Sequence, residues 1–327
     1  MIITQTPLRI SFAGGGTDFP DFYEQYGGSV VSSAIDKFVY CVVKERFDDK
    51  IYVNWSKKEI VDSVDQIEHE LVREAMRKVG VKQAVEISFL SDIPAEGSGL
   101  GSSSSVTVGV LNALYHFVGG TPTAEQLARE ACEIEIQILG KPIGVQDQYI
   151  AAYGGLRQFK FGPGQNIQGE PLSVSRHALE DLDIMLMSFF TGQTRKAAGI
   201  LSEQKANIAG KIPILQQMTA QAGQVRALLE TGDVEAFGRL LHEAWTAKRK
   251  LASGISNNAT DQLYDRAIQA GALGGKISGA GGGGFFLLCV PSDKRQSVRH
   301  ALRDLREMPF RLERTGTKVI LNMQRYS

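Results

Sequence analysis

Thirteen of the 35 glycines in this 327-residue chain fall in three short clusters, Gly14 to Gly16, Gly97 to Gly101 and Gly274 to Gly284. Backbone without Cβ atoms suits close approach to a ligand. The middle cluster stands in Pro94-Ala-Glu-Gly-Ser-Gly-Leu-Gly-Ser-Ser-Ser-Ser105. Before it, Val85, Ile87 and Phe89 alternate with Glu86 and Ser88 as a strand. After it, Val106, Val110, Ala113, Leu114 and Phe117 follow helical spacing, with Ser102 to Ser105 suited to the N-cap and first turn. A strand running through glycines into a helix N-terminus is a phosphate cradle, because free N–H groups and a positive partial charge converge there. The competing reading is a flexible turn with a polyserine cap. Two better-known loops are excluded: Ser102 stands where a dinucleotide fingerprint needs its third glycine, and no Gly-Lys-Ser/Thr follows as in a Walker A loop.

The last cluster runs directly into the apolar strand Phe285 to Val290, which a flexible linker does not do, so it is expected to be a second close backbone approach. The first ends Pro7-Leu-Arg-Ile-Ser-Phe-Ala-Gly-Gly-Gly-Thr-Asp18, where Asp18 on its own reads as a turn cap.

Equal numbers of basic and acidic residues, 36 of each, offer no general attraction to nucleic acid or an anionic membrane, so anions must be held by local donors. No apolar run is long enough to span a bilayer and no leader pattern precedes Pro7, so a cytoplasmic protein is expected. Three scattered cysteines fit neither disulfides nor zinc, and the five histidines form no metal pattern. No serine occupies a G-x-S-x-G elbow.

Short alternating runs (Leu8 to Ala13, Ser29 to Ile35, Phe38 to Val43, Ile51 to Trp55) predict a strand-rich sheet, followed by a helix near 66–78. Further strands are expected at 156–161 and 183–190. Helices are expected at 123–139, 194–209, 212–230, 233–252, 258–270 and 293–306, and a strand pair around Thr315-Gly316. The fold class is α+β, with one domain over 1–180 and a helix-rich, sheet-containing one over 181–327.

Two carboxylates stand out. Glu135 shares a helical stripe with Ala128, Cys132 and Leu139, where an apolar residue is expected; it either pairs with a buried cation or coordinates a hard metal. Asp147, in Gly144-Val-Gln-Asp-Gln148, is either an N-cap or a general base.

Together and in this order, Pro7 to Asp18, Pro94 to Ser105 and Gly274 to Gly284 resemble the three motifs of the galactokinase, homoserine kinase, mevalonate kinase and phosphomevalonate kinase superfamily, the GHMP kinases, over nearly the whole chain. The resemblance implies a two-domain fold, with an N-terminal domain like ribosomal protein S5 domain 2 and a ferredoxin-like, helix-rich C-terminal domain, and the active site in the crevice between them. It implies that Gly97, Ser98, Gly99, Leu100, Gly101, Ser102, Ser103 and Ser104 wrap ATP phosphates and that Ser103 and Glu135 meet Mg²⁺. Asp147 becomes the base or orienter of the acceptor hydroxyl, with Arg9 beside the reacting groups. Gly15, Gly16, Thr17, Asp18, Gly281 and Gly282 fall on the acceptor. The Ala-Gly-Gly-Gly-Thr-Asp form with Thr191-Gly-Gln-Thr-Arg195 is similar to bacterial D-glycero-α-D-manno-heptose 7-phosphate kinases, with fucose kinase domains the nearer cousins than galactokinase. The partners implied are ATP and a sugar phosphate, with monomer and homodimer both open. Arg195 and Lys196, with Arg157 and Lys160 behind them, are candidates for the acceptor's phosphate, against a reading as solvated helix start or strand edge.

Overall fold

The computed structural model describes residues 1–93, 97–192 and 197–323. The first sheet is built from β1 (Ile2–Ala13), β2 (Gly28–Glu45), β3 (Ile51–Asn54), β4 (Lys58–Val61), β5 (Val85–Ser91), β6 (Leu156–Gly162) and β7 (Asn166–Pro171). The two runs expected to be separate at Asp36-Lys37 form one strand. β2 is long enough that its first half pairs with β6 and its second with β5, while β1 runs antiparallel along its other edge. The break in alternation is a register shift opposite Pro7 and Leu8, which bends the strand without ending it.

A second, smaller antiparallel sheet has the order β11 (Arg306–Glu307), β8 (Leu186–Phe190), β10 (Phe285–Cys289) and β9 (Gly274–Ile277). The strand β12 (Lys318–Asn322) then returns to pair with β1 in the first sheet. The 180/181 boundary falls inside a helix, Arg176–Met185, and β12 rejoins the sheet where the chain began. The expected strand pair around Thr315-Gly316 does not form. Strands on either side of it belong to different sheets, and Gly316 passes so close to the end of a helix that a Cβ would lie 2.1 Å from Ala152 O.

The helices are α1 (Pro20–Tyr26), α2 (Glu70–Val79), α3 (Ser102–Phe117), α4 (Ala124–Cys132), α5 (Gln146–Tyr153), α6 (Arg176–Met185), α7 (Ala197–Ala206), α8 (Ile212–Thr231), α9 (Val234–Lys248), α10 (Asn258–Gln269) and α11 (Arg295–Ala301). The single helix expected over 123–139 divides: α4 passes into a π-helical segment, Glu133–Ile138. α2 to α5 pack on one face of the first sheet, and α8, α9 and the second sheet cover β1 and β2 from the other side. Between these layers β1 is buried on both faces. Its period-2 alternation sends Leu8, Ile10 and Phe12 into the core beneath α8 and α9, which leaves Arg9 and Ser11 on the opposite face. No helix among the described residues is long and apolar enough to cross a membrane.

Candidate functional site

Three loops meet at the end of β1. Gly97, Gly99 and Gly101 all have left-handed φ, near +70° to +78°, a conformation that costs a side-chain-bearing residue strain. The N-cap of α3 is Gly101 and not a serine, and no side chain caps the helix. Its first-turn N–H groups therefore have no capping side chain, the arrangement that suits a helix N-terminus to an anion. The loop is fixed from beneath, where Arg9 N donates to Leu100 O at 2.9 Å and Ser105 Oγ to Pro7 O at 2.8 Å.

The Gly274 to Gly284 cluster owes part of its composition to this loop. A Cβ on Gly99 would lie 2.4 Å from Ser278 O, one on Gly279 would lie 2.6 Å from Gly99 Cα, and one on Gly284 would lie 2.6 Å from Ser98 O. The close backbone approach expected there is thus an approach of loop to loop. Gly279 and Ala280 line the resulting cleft. Gly281 and Gly282 do not: they pack on Ile255, whose carbonyl accepts from Gly282 N at 2.9 Å.

Asp147 lies in the first turn of α5, whose N-cap is Val145, so it is not the capping residue. Arg9 grips it with two parallel hydrogen bonds, Nε to Oδ1 and Nη2 to Oδ2, both 2.7 Å, and gives Nη1 to Gly99 O at 2.6 Å. This fork fixes the carboxylate plane and ties it to the glycine loop. Asp18 is buried; its Oδ1 accepts from Gly16 N at 2.8 Å and its Oδ2 from Gln146 N at 3.3 Å. Burial, aided by the nearby Asp147 charge, raises its carboxyl above the usual range. Thr17 does not line the cleft: its hydroxyl exchanges hydrogen bonds with the backbone of Ser29.

Glu135 is fully buried in the π-helical segment, and burial raises its carboxyl. Ser103 and Ser104 donate to Oε2 at 3.2 and 3.4 Å, while Oε1 has no hydrogen-bond partner. A hard carboxylate oxygen without a partner, beside a serine hydroxyl and next to the glycine loop, is a donor set that fits Mg²⁺.

The cleft also contains side chains that the motifs did not identify: Ser11, Lys141, Gln146, Gln204 and Lys248. Lys248 carried a signal in the sequence, a charge continuing the apolar stripe Phe237, Leu241 and Ala244 of α9; the others carried none. Of the expected phosphate-binding cations, Arg195 and Lys196 lie outside the described residues. Arg157 and Lys160 are away from the cleft. Arg157 donates to Gly154 O and Gly169 O and stacks over Tyr153, and Lys160 faces Glu170 at 3.5 Å. A second cavity lies beyond the glycine loop and shares Ser98 with the first; Ile93, Phe190, Phe285 and Met308 give it an apolar wall.

With this geometry in view, comparison with known proteins gives consistent matches. The N-terminal domain of the GHMP kinases matches residues 67–155 and their C-terminal domain residues 225–306. A D-glycero-alpha-D-manno-heptose 7-phosphate kinase of Campylobacter jejuni is 30% identical, over 92% of this chain and 93% of its own length. The L-fucokinase/L-fucose-1-P guanylyltransferase of Bacteroides fragilis is 29% identical over 90% of this chain, which spans 35% of that longer protein. A solved D-glycero-D-manno-heptose 1-phosphate kinase from Bacteroides thetaiotaomicron superposes with a TM-score of 0.83 at 27% identity, covering all of both chains.

Proposed function

The chain belongs to the GHMP kinases and is an ATP-dependent sugar kinase, and from that premise we propose that it phosphorylates the anomeric hydroxyl of D-glycero-α-D-manno-heptose 7-phosphate. The product is the 1,7-bisphosphate, on the route to GDP-heptose for surface polysaccharide, and the enzyme is cytoplasmic. The observation that carries the reading is the Asp147 carboxylate, held by two hydrogen bonds from Arg9, which also binds the glycine loop at Gly99 O, in the cleft that Asp18 lines.

In this reading the nucleoside occupies the apolar cavity beyond Ser98, and the phosphates extend over the loop onto the first-turn N–H groups of α3. Ser103 and Glu135 would hold Mg²⁺, which when bound neutralises phosphate charge. Each Asp147 oxygen gives one lone pair to Arg9 and keeps another for the acceptor hydroxyl. The hydroxyl oxygen forms its bond to the γ-phosphorus as the bond to the ADP oxygen breaks, and its proton passes to Asp147. Arg9, already committed to Gly99 and Asp147, needs no rearrangement to sit beside the developing charge. Arg195 and Lys196 remain the proposed partners of the acceptor's phosphate.

The second reading, a 1-kinase for an unphosphorylated sugar, is favoured by the likeness to the fucokinase. The two separate in one assay with ATP and Mg²⁺ over heptose 7-phosphate, free heptose, fucose and galactose, with the product's phosphate position determined. Turnover of fucose without turnover of heptose 7-phosphate would overturn the first. Asp147→Asn is expected to lower kcat by about 10²- to 10⁴-fold while keeping the fold.

A further inference from the structure

Gly14, Gly15 and Gly16 are not under the same constraints. Gly14 and Gly16 have φ of +84° and +114°, and a Cβ would lie 1.9 Å from Ser29 O in the first case and 2.2 Å from Gln204 Nε2 in the second. The fold thus demands little other than glycine at both. At Gly15 it makes no such demand. Its φ lies outside the left-handed range, and a Cβ there would meet Gln146 Nε2 and Lys248 Nζ at 3.5 Å and Ser11 Oγ at 3.7 Å, all ordinary contacts.

Those three polar atoms come from three elements, α5, α9 and β1, and converge on the position a side chain at 15 would take. All three residues line the cleft and are at least nine-tenths buried. Ser11 Oγ and Gln146 Oε1 have no hydrogen-bond partner, and Lys248 gives a single N–H, to Gly279 O at 2.6 Å. Buried polar groups are ordinarily satisfied, so convergent ones with capacity to spare mark a place for a polar ligand group.

We propose that Ser11, Gln146 and Lys248 form a hydroxyl-recognition subsite for the acceptor sugar, which Gly15 admits by having no side chain. The inference rests on reading the cleft as a sugar kinase's acceptor site. A sugar hydroxyl accepts from Lys248 and the Gln146 amide N–H and gives its one proton to Gln146 Oε1. A phosphate dianion only accepts, and would leave the Gln146 carbonyl oxygen unpaired. Position agrees: Gln146 immediately precedes Asp147, and Lys248 is close enough to feel the charges of Arg9, Asp18 and Asp147. The hydroxyl bound here is therefore a neighbour of the reacting one, not a group at the far end of the acceptor, where a phosphate ester is carried.

The test assays Gly15→Ala and Lys248→Met against wild type with each sugar that wild type phosphorylates, varying acceptor and ATP separately. Gly15→Ala is expected to keep the wild-type Tm, raise the acceptor KM about tenfold and leave the ATP KM within about twofold. Lys248→Met is expected to raise the acceptor KM at least as much, and equally for phosphorylated and unphosphorylated forms of one sugar. An unchanged acceptor KM in Gly15→Ala overturns the subsite, and a lowered Tm overturns its premise that the fold tolerates a Cβ there. A penalty confined to ATP overturns the acceptor role, and one confined to the phosphorylated sugar replaces the hydroxyl with a phosphate. A wild type active on free sugars but not on heptose 7-phosphate overturns the proposed substrate and leaves the subsite testable; one inactive on every sugar overturns both.

Discussion

Burial, and then the neighbouring Arg9 guanidinium, push the Lys248 ammonium down from its ordinary 10.5 to about 8, against the opposing pull of Asp18 and Asp147. The charged form is therefore present below about pH 8 and lost above it. kcat/KM for the acceptor is expected to fall as pH rises through about 8, and this limb should be missing from the profile of Lys248→Met. Stability moves the other way. Between about 8 and 10.5 the unfolded chain holds this proton and the folded one does not, so the residue's contribution rises with pH. A profile of the same shape in wild type and variant would remove Lys248 from the reaction. Glu135 and Lys248 bear the same mark, a charge on an otherwise apolar helical stripe, and the sequence reading singled out the first alone. Ser11 and Gln146 bear no such mark. A serine in an alternating strand and a glutamine before an aspartate are ordinary, and only the elements packed against them make them buried.

At the scale of elements, the glycine loop before α3 and the segment between β9 and β10 form an interlocked pair. Gly99→Ala places a methyl where φ is +72° and the Ser278 carbonyl oxygen lies 2.4 Å away. A cost of about 1–3 kcal/mol is expected, seen as a lower denaturation midpoint, together with reduced kcat as the Arg9 to Gly99 bond is displaced. A stable, fully active variant would show that the two loops do not depend on each other. Strand, loop and helix were readable here because each has its own local code. At the start of α4, Thr123 Oγ1 accepts from Gln126 N, while the Gln126 side chain turns to Glu130 instead of back to the cap. The π-helical segment after it had no local signature, since the same residues suit an α-helix.

For the whole molecule, the consequential feature is the return of the chain's end. Asp36 N donates to Arg311 O, Glu313 N to Ala34 O and Thr317 N to Ala151 O before β12 closes the edge of β1. A chain ended at residue 310 leaves that edge unpaired, and is expected to lose cooperative thermal unfolding and to self-associate through it. A monodisperse product with the wild-type melting curve would contradict this. What the sequence determined by itself was whatever depends on neighbours in the chain: helix and strand periods, a glycine loop before a helix, and the order of the motifs that marks the family. Tertiary structure alone decided which glycines line the cleft and which face another backbone. It also decided which polar residues are buried beside Asp147 and where the last strand goes. Each of those depends on contacts between segments tens to hundreds of residues apart, whose energies are set by burial and proximity and leave no periodic trace in the chain.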